Sequence, residues 1–181
     1  MGFALIVSLS IMFYVCVYPK FLNSNQPGNI NRVAAHIATF ASYPPAGFRF
    51  TMGLELFNSY TLIAEHIADR QSMFLISYPF VQGDASAIVD AISANNLQTS
   101  QMGAHFDSVA SKGELQVAHQ RMPYVVGTVS DHGRISEAMF GCLVLKNSNR
   151  TICVLTLNPS SNQCFSFKNA VSFLGSVERW N

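Results

Sequence analysis

Residues Arg134–Leu157 read RISEAMFGCLVLKNSNRTICVLTL, two apolar runs separated by Asn147-Ser148-Asn149. Asn and Ser close turns cheaply, and the flanking runs are rich in β-branched and aromatic residues, so the stretch predicts two antiparallel strands, Arg134–Lys146 and Thr151–Leu157. With a tight turn at Asn147-Ser148, paired residues satisfy i + j = 295, which sets Cys142 opposite Cys153. The first strand is long, and a bend or bulge is expected at Gly141.

Working outward, the β pattern persists on both sides. Upstream, Glu114–His119 and Tyr124–Ser130 read as strands, and Ser130-Asp131-His132-Gly133 reads as a hairpin turn into Arg134. Further back, Gly47–Met52, Tyr60–His66 and Ser72–Tyr78 form an expected antiparallel meander with a turn near Asp69-Arg70. Downstream, Cys164–Phe167 is expected as an edge strand. A helix over Asn169–Arg179 follows, with Val171, Phe173, Leu174 and Val177 inward.

Two other segments carry a helical period. Asn29 caps an expected helix to about Phe40 or Ala41, with Ile30, Val33, Ala34, Ile37 and Ala41 on one side. Pro44 and Pro45 stop it. Asp84 starts another helix, ending near Asn95, with Ala87, Ile88, Ala91 and Ile92 as its buried face. Between residues 97 and 113, Met102, Phe106 and Val109 hint at a short helix.

At the N-terminus, Phe3–Tyr18 is an uncharged apolar run ended by Pro19-Lys20. As a helix it would span about 24 Å, approaching a bilayer core of about 30 Å with its flanks. No basic region precedes it and no small-x-small site follows it, which favours a retained anchor over a cleaved signal. The fold expected is therefore α+β: a single N-terminal transmembrane helix, then one domain of mostly antiparallel sheet with helices packed on one face. Its divisions are residues 1–22 as anchor, 23–28 as a polar linker and 29–181 as the extramembrane domain. The sparse charge and the clustered cysteines place that domain outside the cytoplasm, as in a bitopic signal-anchor protein of the cell envelope with a periplasmic domain.

Charged residues make up only 12% of the 181-residue chain, against about 25% in ordinary soluble domains. A surface so sparsely charged suits burial against partners. The net charge of +1 and the lack of a basic cluster exclude the electrostatic footprint of a nucleic-acid binder.

Chemistry-bearing patterns are few. Cys142, Cys153 and Cys164 recur at equal spacing. They read as one disulfide, as buried thiols or as a metal site, with Cys153–Cys164 the preferred bridge because the Ser/Asn loop between them is adaptable. The five histidines form no metal-ligand spacing, although His105, Asp107, His119 and Asp131 could meet from separate strands. Asn149-Arg150-Thr151 matches a glycosylation sequon at a hairpin tip. No nucleophile motif or phosphate loop is present, so no catalytic, cofactor-binding or metal residue is assigned and no cofactor is expected. The lone tryptophan, Trp180, and the small polar Ser8 and Ser10 of the apolar run are the candidate partner contacts.

These features lead to an expected function: a non-catalytic accessory or assembly subunit of a membrane-bound complex. It would be tethered in the lipid bilayer by one helix, with an integral membrane complex or further copies of itself as partners. The alternatives are a membrane-anchored binding module for a small apolar ligand or lipid, and a membrane-tethered hydrolase using His105 and His119.

Overall fold

Strand alternation organises the chain around a seven-stranded sheet with two differently covered faces. The computed structural model describes residues 18–79, 83–94, 105–131, 134–158 and 165–181. After a short helix α1 (Tyr18–Leu22) come α2 (Pro27–Ile37), β1 (Ala38–Phe40), β2 (Phe48–Leu56), β3 (Ser59–His66) and β4 (Ser72–Tyr78). Then follow α3 (Ala85–Ser93), β5 (His105–Val117), β6 (Gln120–Asp131), β7 (Arg134–Leu145), β8 (Arg150–Leu157), α4 (Phe167–Gly175) and β9 (Val177–Trp180).

The large sheet runs β2-β3-β4-β8-β7-β6-β5, and every pairing in it is antiparallel. The chain leaves β4 in mid-sheet and crosses one face as α3. It re-enters at the far edge as β5 and meanders back until β8 pairs with β4. β1 and β9 form a separate two-stranded ribbon.

Successive residues of a strand point to opposite faces, so each strand feeds two cores. On β7, Met139 and Leu143 join the larger cluster with α2, α4 and Trp180, while Phe140 and Cys142 join a smaller one with Ala85, Val89 and Ile92 of α3. Helices therefore cover both faces, which corrects the expectation of helices on one face. A continuous alternating sheet this apolar has two sides to bury.

The expected membrane anchor is also corrected. Crossing a bilayer takes about 20 apolar residues in one helix. Among the described residues no helix is long and apolar enough. The remainder of the apolar run, Phe3–Val17 with Ser8, Ser10 and Cys16, lies outside the described residues. A single-pass, signal-anchored placement with a periplasmic domain is not supported. Within the stretch 23–28, Ser24 is buried and its carbonyl accepts from Gly53 N at 2.7 Å.

Several boundaries move for local reasons. α2 starts at Pro27, whose fixed φ suits the first helical turn, and Asn29 donates its side-chain amide to the Gly53 carbonyl. α3 buries Ala85, Val89 and Ile92, leaving Ala87 exposed. Phe106 and Val109 fall on β5, not on a helix. Gly141 carries no register shift; its missing side chain makes room for Met122, and the irregularities of the seven-stranded sheet lie in β2 and β5. At one of the β5 irregularities a Cβ on Gly127 would meet the Ser108 carbonyl oxygen at 2.0 Å, so only glycine fits there. Phe167 opens α4, which ends at Gly175, and Val177 belongs to β9.

Candidate binding cleft at Trp180

The C-terminus is sewn into the fold by backbone and side chain together. Beyond α4 the chain extends along β1, with Trp180 paired to Ala38 and Arg179 to Thr39. Asn181 then closes the end of α2: its N–H donates to the Ile37 carbonyl at 3.0 Å and its side-chain amide to the Ala35 carbonyl at 2.8 Å. These carbonyls belong to the last turn of α2, where no helical partner remains.

This anchoring holds Trp180 at one end of the larger core, 8% exposed and clustered with Val117 and Leu145. Its indole nitrogen is buried without a hydrogen-bond acceptor. A buried donor left unpaired costs about 1–3 kcal/mol, so the position is tolerated against a local penalty.

Beside the ring lies a cleft of about 510 Å³. Its walls are β9, the β5–β6 turn at Ala118 and Gln120, and the β7–β8 turn carrying Lys146, Asn147 and Ser148. Lys146 comes from the turn and Arg179 from β9, and among the described residues lining the cleft none is acidic. Arg179 is oriented by donating from Nε to Asn181 Oδ1 at 3.1 Å. Two cations, an aromatic wall and turn amides can hold a carboxylate-bearing segment.

A second constellation sits on the opposite face of β7 and β8. The register places Cys142 against Cys153, as the i + j = 295 relation requires, with the sulfur atoms 4.0 Å apart. Both are free thiols; Cys142 is buried and Cys153 half-buried. Cys164, the other half of the preferred bridge, lies outside the described residues.

The remaining candidates separate. His105 pairs with Ser130 at one end of the β5–β6 hairpin and His119 turns at the other. The 13 residues of β5 keep them about 40 Å apart. Asn149 is exposed at the β7–β8 turn in a left-handed conformation. His66 instead joins Asp69 and Asn169 in a polar knot, with His66 Nδ1 3.2 Å from both Asp69 Oδ2 and Asn169 Nδ2. Lys146, Arg179 and Asn181 escaped the sequence reading because nothing in their spacing marks them as neighbours.

No family model matches this chain, and no curated protein matches it significantly.

Proposed function

We propose that this chain is an accessory or assembly protein whose working surface is the Trp180 cleft, and that the cleft takes an extended acidic segment of a partner protein. The observation that carries the reading is the pair of cations, Lys146 and Arg179, facing a cleft with no acidic residue among its described lining. Charge complementarity of this kind steers association and selects partners. The polar turns favour a peptide over an apolar ligand, since main-chain and side-chain amides there can meet a peptide's own polar groups. The role is binding, with the partner's carboxylates between the two cations and its chain along the tryptophan.

The test uses the single tryptophan as its own reporter. Titration with Asp/Glu-rich peptides should change Trp180 fluorescence saturably, and the response should weaken as salt rises. The double substitution Lys146→Glu, Arg179→Glu should abolish it. Equal binding of neutral or basic peptides, or an unchanged response in the double variant, would overturn the reading. So would self-association that occupies the cleft at micromolar concentration.

A further inference from the structure

We infer that Cys142 and Cys153 form a redox-active cross-strand dithiol that closes to a disulfide by exchange with small-molecule disulfides. Three features of the structure carry this. The residues are direct partners across β7 and β8, and such partners hold their Cα atoms about 4.5–5.5 Å apart, inside the range a disulfide needs. Their sulfurs stand 4.0 Å apart, so side-chain rotation brings them to bonding distance with little backbone movement. Their accessibilities differ: Cys153 is half-buried and Cys142 fully buried.

That asymmetry assigns the roles. The more accessible Cys153 thiolate attacks one sulfur of the incoming disulfide, forming a mixed disulfide and releasing one thiolate. Cys142 then attacks the Cys153 sulfur, the protein S–S bond forms, and the second small thiol leaves, taking the Cys142 proton. One small disulfide is reduced to two thiols and the protein dithiol is oxidised by the same two electrons. The hydrogen bond with Cys153, burial, and the nearby Cys153 and Asp84 charges all hold Cys142 protonated before the exchange. The Cys153 contributions end when that sulfur enters the mixed disulfide, and Cys142 gives up its proton to the leaving thiolate as it attacks. Tyr78, on β4, is the other titratable group facing the pair, and Asp84 approaches from the start of α3.

Closure would brace the β7–β8 hairpin, whose tip carries Lys146. The chemistry stands apart from the cleft, however, and is tested separately. The full chain is incubated with oxidised glutathione, its remaining thiols are alkylated, and its peptides are mapped by mass spectrometry. The expected product is a Cys142–Cys153 cross-linked peptide pair lighter by two hydrogen atoms and restored by reductant. Cys142→Ser should trap glutathione on Cys153, and Cys153→Ser should leave Cys142 unmodified. The wild-type map does not depend on either variant folding. Glutathione retained on wild-type Cys153, or Cys153 joined to Cys164 or to a second chain, would overturn the inference.

Discussion

The side-chain amide of Gln71 is clamped to the backbone of Ser166: its Nε2 donates to the Ser166 carbonyl and its Oε1 accepts from the Ser166 N–H, both at 3.1 Å. Gln71 is 1% exposed and sits at the β3–β4 turn, while Ser166 caps α4 by accepting from Asn169 N. Two segments 95 residues apart are thus joined by a paired donor and acceptor.

Replacing Gln71 with leucine roughly keeps the volume but leaves the Ser166 N–H without its acceptor, while the Ser166 carbonyl still accepts from Asn169 N and Ala170 N. The expected loss is about 1–3 kcal/mol, from one backbone N–H left unpaired. Urea unfolding of the variant against wild type measures it, and a loss below about 0.5 kcal/mol would show that the clamp contributes little.

Gly53 sets the approach of α2 to the sheet. A Cβ there would lie 2.8 Å from Ile30 Cα and 3.1 Å from Val33 Cβ, so Gly53→Ala must push the helix away and should cost about 1–3 kcal/mol. Gly28 in the first turn of α2 has nothing within 4 Å. Gly28→Ala should be neutral or stabilise by up to about 1 kcal/mol. Thermal melts of the two variants should therefore move in opposite directions or differ by several degrees.

Glu65 gives the fold a pH dependence. It accepts from Arg49 Nε at 2.9 Å and from Arg70 Nη1 at 3.0 Å. These hydrogen bonds, Arg49's first, hold its carboxyl below the ordinary 4.5. The unfolded chain then binds this proton more readily than the folded one. The stabilisation is full above the unfolded value and is lost as pH falls through the lower folded value. Glu65→Gln should lower the urea midpoint by a few tenths of a molar at pH 7. The gap should narrow as pH falls below 4.5 and close below the lower folded-state value. A gap independent of pH would contradict this account.

Trp180 separates packing from polarity in one position. Trp180→Ala should cost about 3–5 kcal/mol by emptying the end of the core. Trp180→Phe keeps most of the ring's burial and removes the indole N–H that lacks an acceptor, so its cost should be about 1 kcal/mol or less. Equal losses in the two variants, read by denaturant unfolding, would mean that the indole nitrogen matters more than its environment indicates.

The sequence by itself determined the strands that local chemistry delimits. Ser72–Tyr78 is legible to the residue because a turn precedes it and Pro79 follows. The register of β7 on β8 is legible because a short turn leaves it little choice. Tertiary structure decided whatever depends on which surface an element meets. α3 has a broad apolar arc opposite Ser86, Asp90 and Ser93, so periodicity alone selects Ala87, Ile88 and Ala91 beside Ile92, while the sheet covers Ala85, Val89 and Ile92. The last residues continue a helical pattern to Arg179 on paper, yet leave it at Gly175 because the edge of β1 offers them backbone partners. The Trp180 cleft belongs to this second kind. Lys146 and Arg179 share no local pattern, and they line one cleft because a turn and a terminal strand are fixed beside each other. Hydrogen bonding and turn geometry act over a few residues and can be read in order; burial acts between surfaces that only the folded chain brings together.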